Sequence, residues 1–409
     1  MEVMYTSRQK ILRKEYLDKL ITFKDKRIIK IITGVRRCGK STMMEIFQEY
    51  LLQNGVLSEQ IIAINFEDFD FAELKDPVNL HAYIKERLIK ERKTYIFLDE
   101  IQNVTDFAKV VDSLYIKKDI DLYLTGSNAY ILSSEIATYI SGRYIEIQML
   151  PLSFKEYVTH TGDIKDLPRK YTEYLENSSF PYALEFEGQP NALDDYLQGV
   201  YSTIVLKDVV ARHKISDPMM LESIVRFAFD NIGNELSTKK ISDTMTSGGR
   251  KIEVKTVEKY LKALMECYIL YQAKRYSIKG KQHLKTLEKY YVVDIGLRYM
   301  LLGTRGFDVG HILENIVYLE LLRRGYKVYI GKVDGLEVDF VAMNKKGNIY
   351  YQVAATVRDP KTLDRELESL QKISDHYPKF ILSLDEDPEA DYNGIRRINV
   401  LNWLLGIEK

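Results

Sequence analysis

Nine consecutive residues, Gly34-Val35-Arg36-Arg37-Cys38-Gly39-Lys40-Ser41-Thr42, have the types and spacing of a phosphate cradle. Glycines let successive backbone N–H groups turn inward onto anionic oxygens. A helix that starts at such a loop adds its positive end and its unpaired N–H groups. The ammonium of Lys40 would reach the β- and γ-phosphates, and the hydroxyl of Ser41 would hold Mg²⁺. The whole loop, Gly34 through Thr42, is therefore a candidate binding surface for ATP, with Mg²⁺ as its companion. Cys38 is read as a small residue tolerated there, with modification of its thiol as the alternative. The chemistry requires a strand before the loop and a helix after it. Ile28-Ile29-Lys30-Ile31-Ile32 supplies the first, and Met43-Met44-Glu45-Ile46-Phe47 the second.

A second group of candidates sits at the ends of later apolar runs. Thr94-Tyr95-Ile96-Phe97-Leu98 leads into Asp99-Glu100, the Walker B arrangement. Asp99 would support the metal beside Ser41, and Glu100 would orient or deprotonate the attacking water. An acid pair after a strand is elsewhere usually a helix cap and its first-turn acid. Downstream of a phosphate loop it acquires the catalytic reading. Ile120-Asp121-Leu122-Tyr123-Leu124-Thr125-Gly126 ends in Ser127-Asn128, either of which could contact a γ-phosphate or place water, with a plain turn as the alternative. Arg143 could supply transition-state charge within its own chain or to a neighbouring subunit. A surface ion pair is its alternative. Glu67-Asp68 closes another strand, Ile61–Phe66, at the edge where α/β sheets place their sites.

The elements that must hold these residues alternate strand and helix, which specifies an α/β sheet. The chain has 409 residues, 45% hydrophobic and 29% charged. At about 100–200 residues per domain that allows two to four domains. Formal net charge is zero, so no global basic field announces nucleic acid, though a local patch is not excluded by an average. No apolar run is long enough for a membrane span, and no apolar stretch near Met1 reads as a signal peptide. Cys38 and Cys267 lie in unrelated segments and are expected as reduced thiols, which fits the cytoplasm.

Gly34-Val35-Arg36-Arg37 ahead of Gly39-Lys40-Ser41-Thr42, then Leu98-Asp99-Glu100-Ile101-Gln102, Gly126-Ser127-Asn128, Ser141-Gly142-Arg143 and Pro151-Leu152-Ser153-Phe154-Lys155-Glu156-Tyr157 together resemble one family. It is the prokaryotic AAA-superfamily ATPases whose C-terminal part is known as domain of unknown function 4143. The resemblance implies an AAA-like sheet with the Walker B strand two from the edge, and an ATPase activity. It brings no substrate with it.

Three domains are expected: an AAA-like ATPase domain over 1–160, a helical linker and winged helix over 161–300, and a restriction-endonuclease-like α/β domain over 301–409. In the middle, a short capped helix near 236–245, a second helix over 254–269 and a basic hairpin outline a winged helix. Lys251, Lys255 and Lys259, with Lys279, Lys281 and Lys285 in the wing, would face DNA, although Glu253 and Glu258 dilute them. Packing against protein is the alternative use of such a module. After the helix at 311–322, the order strand-strand-strand-helix-strand resembles the restriction-endonuclease fold. The chemistry of that fold needs Asp and Glu (or Gln) at adjacent strand ends to bind Mg²⁺, and a lysine two residues after the second acid. The slots hold Glu314, Asp339 and Gln352, and the lysine slot holds Ala354. Gln352 is neutral and Ala354 carries no charge, so the domain is expected to be nuclease-like in fold and inactive.

The leading expectation is an Mg²⁺-dependent ATPase with Lys40, Glu100 and Arg143 as catalytic groups. Its nucleotide cycle would move the winged-helix and nuclease-like domains, on DNA or on a protein client, alone or in an oligomer. Two alternatives stay open: a nucleotide-switched DNA-binding or scaffold protein with little turnover, and an Mg²⁺-dependent nuclease with a degenerate motif.

Overall fold

The structure is a computed structural model that describes residues 10–132, 139–162, 165–283, 287–304 and 308–407. The expected wing lysine Lys285 lies outside the described residues. The chain divides into two compact units, Met1–Met149 and Leu150–Lys409.

The first unit opens with α1 (Lys14–Phe23), which buries Tyr16 and Leu20 from its apolar stripe. Then come β1 (Ile29–Thr33), α2 (Lys40–Gln53), β2 (Ile61–Asn65), α3 (Pro77–Arg87), β3 (Thr94–Asp99), α4 (Phe107–Tyr115), β4 (Ile120–Gly126) and β5 (Tyr144–Gln148). The five strands form one sheet in the order β2-β3-β4-β1-β5. Every pairing in it is parallel. β3, the strand of the acid pair, is second in from the β2 edge. Parallel strands are covered on both faces, so they read as unbroken apolar runs. All five residues of β1 and all six of β3 are buried accordingly. Ile31, Ile64, Ile96, Leu98, Leu122 and Leu124 pack with Val111 and Leu114 of α4 into one core. Lys30 violates the apolar pattern at the amino end of β1, and β4 answers it with Asp121, a fully buried ion pair. Asp121 also accepts from Tyr123 Oη and Asp25 N, both at 2.9 Å. With all strands parallel, the loops after β1, β3 and β4 emerge at one carboxyl edge.

The second unit begins at a reciprocal cap. Ser153 Oγ accepts from Glu156 N at 3.0 Å and Glu156 Oε2 accepts from Ser153 N at 2.8 Å, which starts α5 (Phe154–Thr161). The Pro-Leu-Ser-Phe-Lys-Glu run is thus a helix start, with the serine and glutamate satisfying each other's donors. α6 (Leu167–Glu176), α7 (Pro190–Ser202) and a π-helical stretch, Thr203–Ala211, follow. Next come α8 (Pro218–Asp230), β6 (Glu235–Leu236), α9 (Thr238–Ser247), α10 (Val254–Glu266), β7 (Leu270–Ala273), β8 (Arg275–Ser277), β9 (Gln282–His283) and β10 (Glu288–Val292). β6, β10 and β7 make a three-stranded antiparallel sheet beside α8–α10. Ser237 caps α9 by accepting from Lys240 N. The apolar stripe of α10, Val257, Tyr260, Leu261 and Leu264, is buried.

The remaining elements are α11 (Ile295–Leu302), α12 (Val309–Arg323), β11 (Lys327–Val333), β12 (Leu336–Asn344), β13 (Gly347–Ala354), α13 (Pro360–Gln371), β14 (Lys379–Ser383), β15 (Ala390–Tyr392), β16 (Ile395–Asn399) and α14 (Val400–Leu405). They build an eight-stranded sheet ordered β15-β16-β14-β13-β12-β11-β8-β9. The last two strands correct an expectation. The segment between β7 and β10, expected within the basic hairpin of a winged helix, is the edge hairpin of this sheet, with β8 paired in parallel to β11. Lys279, expected to face phosphate, is paired with Asp334 at 2.5 Å. Residues expected in separate middle and C-terminal domains therefore share one sheet.

Candidate functional site

The loop after β1 is shaped by two glycines in conformations that L side chains avoid. Gly34 has φ +146°, and a Cβ there would stand 2.1 Å from the Met149 carbonyl oxygen. Gly39 has φ +99° and caps α2. Arg37, at φ +69°, also lies in the left-handed region. Val35 is buried, and Cys38 turns its thiol inward, toward Met149 O at 3.4 Å. Burial pushes that thiol above its ordinary range, which removes the reactive thiolate that modification needs. Lys40 opens α2 and donates to Gly34 O and Val35 O, both at 3.1 Å, across the mouth of its own loop. Ser41 and Thr42 follow on the first turn of α2.

The acid pair meets this loop as the strand order requires. Lys40 Nζ lies 3.7 Å from Glu100 Oε1. Thr125 from β4 hydrogen-bonds the Asp99 carboxylate, and the Ser41 hydroxyl is near enough to help hold that carboxyl down. Thr125 Oγ1 in turn accepts from Glu100 N at 2.9 Å. Burial raises the Asp99 carboxyl from its usual range, against the lowering effect of Ser41 and Thr125. Glu100 takes φ +54° and begins a short 3-10 turn, Ile101–Asn103. Ser127 and Asn128 are buried just beyond the end of β4. The structure thus brings Gly34, Lys40, Ser41, Asp99, Glu100, Ser127 and Asn128 to one edge of the sheet.

Two candidates depart from this cluster. Arg36 donates to Glu67 Oε1 at 2.7 Å, which ties the loop to the end of β2. Arg143 precedes β5 at the amino end of the sheet, where Tyr144 pairs with Ile29. Its guanidinium donates to Asp112 Oδ1 at 2.6 Å. With about 3.3 Å per strand residue, the length of β1 separates it from the loop. Its own chain does not bring it to the phosphates, which corrects that part of the expectation.

Sequence reasoning missed Arg13. It is 2% exposed and donates to Cys38 O at 3.2 Å, so the turn before α1 braces the back of the loop. An arginine inside the stripe of Ile11, Leu12 and Tyr16 was the only local sign of it.

The donors that would meet Mg²⁺ are the Ser41 hydroxyl and the Asp99 carboxylate. Both are hard oxygens at the same carboxyl edge of the sheet. That set suits an ion which takes few protein ligands and keeps several waters. The loop N–H groups, the α2 amino end and Lys40 together fit a polyphosphate.

In the second unit Glu314 of α12, Asp339 of β12 and Gln352 of β13 also come together. Gln352 Oε1 accepts from Asp339 N at 2.7 Å, and its Nε2 donates to Glu366 at 2.7 Å. Asp339 Oδ2 accepts from Val353 N at 2.8 Å. Ala354 is buried in the apolar core beside them. The missing cation is not missing: Lys289 of β10 reaches Glu314 at 2.9 Å and Glu337 at 2.7 Å. Tyr291 Oη donates to Glu314 as well, at 2.5 Å. Burial, then Glu314, push the Asp339 carboxyl well above its usual range. The surrounding acids, Glu314 first, hold the Lys289 ammonium above its usual range in spite of burial. Among the described residues no group of three or more His, Cys, Asp or Glu is arranged to hold a metal ion, and no helix is long and apolar enough to cross a membrane.

Residues 26–158 match the family model described as AAA domain. Residues 168–308 match one described as domain of unknown function DUF8612, where the resemblance had implied domain 4143. An uncharacterized protein of Haemophilus influenzae is 39% identical over 404 residues, 98% of this chain and 100% of that protein. An uncharacterized protein of Methanocaldococcus jannaschii is 28% identical over 380 residues, 89% of this chain and 81% of that protein. Among solved structures, a Walker-type ATPase of Pyrococcus abyssi aligns with TM-score 0.47 and 16% identity over 71% of this chain and 95% of its own. The Aeropyrum pernix Orc1 protein in complex with DNA aligns with TM-score 0.29 and 13% identity over 72% and 93%. Likenesses this distant carry no argument about activity.

Proposed function

We propose that this chain, which belongs to the same family as the Haemophilus influenzae protein, is an AAA-type ATPase that binds ATP with Mg²⁺ and hydrolyses it. The observation that carries the reading is Lys40 Nζ at 3.7 Å from Glu100 Oε1, with Thr125 bridging the Asp99 carboxylate and Glu100 N. It links the loop, the acid strand and the strand between them. Lys40 exchanges its bonds to Gly34 O and Val35 O for phosphate oxygens. Ser41 and Asp99 hold Mg²⁺, which offsets phosphate charge. Glu100 takes the proton of the attacking water, and Ser127 or Asn128 faces the γ-phosphate. Arg143 acts across a subunit interface or not at all. The test is nucleotide affinity, read with a fluorescent ATP analogue. Lys40→Ala should lose binding, and tight binding by that variant would refute the assignment of the loop.

The unit Leu150–Lys409 is read as the moving part. Its order α12-β11-β12-β13-α13-β14 supports a restriction-endonuclease-like core, and its α8–α10 and three-stranded sheet support a winged helix. The nuclease reading is disfavoured because Lys289 already neutralises the acid cluster and Ala354 offers no charge. A second reading, nucleotide-switched DNA contact, rests on one observation. Residues 238–262 carry seven exposed Lys and Arg (239, 240, 250, 251, 255, 259, 262) against three acids (243, 253, 258) in a chain of zero net charge. Binding to duplex DNA should then weaken steeply with salt. No binding at low salt would leave a protein client as the partner. A cytoplasmic setting agrees with two buried cysteines that form no disulfide.

A further inference from the structure

Gln102 has no part in the reading above, yet its side chain lies at the centre of the site. Glu100 turns the chain into the 3-10 helix Ile101–Asn103, which is closed by Asn103 N to Glu100 O and Val104 N to Ile101 O, each at 3.0 Å. Ile101 is fully buried, so the turn is anchored in the core. Two residues past the acid, the turn returns the Gln102 amide over the Glu100 carboxylate. Its Nε2 donates to Glu100 Oε2 and lies 3.5 Å from Ser127 Oγ. Its Oε1 is buried and accepts nothing among the described residues. Gly126 makes the room, since a Cβ there would stand 3.0 Å from Gln102 Oε1 and 3.0 Å from Ile131 Cδ1. A buried carbonyl without a donor is costly. An apolar side chain of the same shape would avoid that cost, so packing alone does not account for a glutamine here.

The contact does have a chemical use. A general base works only when its free oxygen is aimed at the water it deprotonates. A glutamate has three side-chain torsions to restrain. Gln102 holds Oε2 and ties it to the Gly126–Ser127 end of β4, which leaves Oε1 on the side of Lys40. We propose that Gln102 is the positioning residue of Glu100, joining the acid strand to the end of β4 so that one carboxylate oxygen faces the phosphate loop. The proton of the water goes to Glu100, and no bond is made or broken at Gln102. The inference rests on reading Glu100 as the group that activates water.

The test uses the full chain with Mg²⁺ and ATP. It measures kcat, KM, affinity for a fluorescent ATP analogue and melting temperature from about pH 5 to 9. Wild type is compared with Gln102→Leu, Gln102→Asn, Gly126→Ala and Glu100→Gln. Gln102→Leu should lower kcat by about 10- to 100-fold, the scale of a misplaced catalytic group, with KM and nucleotide affinity unchanged. The acid limb of its kcat profile should move to higher pH, because loss of a hydrogen bond to the charged form disfavours that form. Gln102→Asn keeps the amide one methylene short and should fall between the two. Gly126→Ala, which pushes the amide aside, should give the same signature more weakly. If Gln102→Leu keeps the wild-type kcat and acid limb while Glu100→Gln is inactive, the inference fails and the reading of Glu100 stands. A lower kcat with an unmoved acid limb and a lowered melting temperature would show a structural prop, which overturns it too. Equal turnover by wild type and Glu100→Gln would remove the reading of Glu100 and the inference with it.

Discussion

Replacing Lys289 with methionine removes the cation that pairs with Glu314 and Glu337 and keeps the side chain's length. In the structure the ammonium meets Glu314 at 2.9 Å and Glu337 at 2.7 Å, with Lys289 and Glu314 side chains 6% and 7% exposed. Glu314 would keep only the Tyr291 hydroxyl. Breaking a buried ion pair from one side costs about 3–5 kcal/mol, because the remaining charge is uncompensated. The full stability of a domain is about 5–15 kcal/mol. With a denaturant slope of about 2–3 kcal/mol/M, the urea midpoint should fall by about 1–2.5 M. Trp403 is the only tryptophan in the chain and is buried against Tyr351, so its fluorescence follows this unit alone. Lys289→Met with Glu314→Gln should recover at least half the loss, since the stranded charge is then gone. Because the lysine is held above its ordinary range, its contribution is fully present below the unfolded lysine value and lost as pH climbs through the raised one. A loss under about 1 kcal/mol, or an equal loss in the double variant, would refute the claim that Lys289 is the cluster's structural counter-ion.

Other parts of the account are open to equally direct checks. Asp121→Asn should cost the first unit about 3 kcal/mol or more by the same one-sided argument, and Lys30→Met with Asp121→Leu should recover most of it in thermal unfolding by circular dichroism. Asp339 has a raised folded-state value, so the folded chain binds the extra proton and stability falls as pH rises above the ordinary aspartate range. Asp339→Asn, whose oxygen can still accept from Val353 N, should therefore stabilise more at about pH 8 than at about pH 5 in urea unfolding. Gly34→Ala places a Cβ 2.1 Å from Met149 O at φ +146°, so fluorescent-nucleotide binding should be lost. Unchanged affinity in that variant would mean that the loop tolerates another course.

What the sequence made legible was whatever is contiguous. Gly34 to Thr42 is one uninterrupted stretch, and its strand and helix neighbours carry the right periodicities, so the loop could be read directly. Asp99-Glu100 and Ser127-Asn128 each end an apolar run, and a parallel sheet brings such ends together. Contacts made by residues far apart in the chain were not legible. Arg13 reaches Cys38 from the turn before α1, and Lys289 of β10 reaches Glu314 of α12, with no motif around either. Gln102 stands in the contiguous run Leu98–Gln102, but its role depends on the left-handed turn at Glu100 and the bare Cα of Gly126. The hairpin of β8 and β9 was misread because strand pairing is non-local: a basic segment between two strands looks like a wing until its partner, β11, is known. Arg143 was misplaced for a simpler reason, since it precedes its strand and so lies at the amino edge.

The central claim is that Glu100 activates water for ATP hydrolysis at the loop of Lys40. Steady-state turnover of Mg²⁺-ATP by wild type and Glu100→Gln, with affinity measured in parallel, tests it most directly. The account predicts measurable turnover by wild type, a loss of about 100-fold or more in Glu100→Gln, and retained nucleotide binding in that variant. Equal turnover by the two proteins would contradict it.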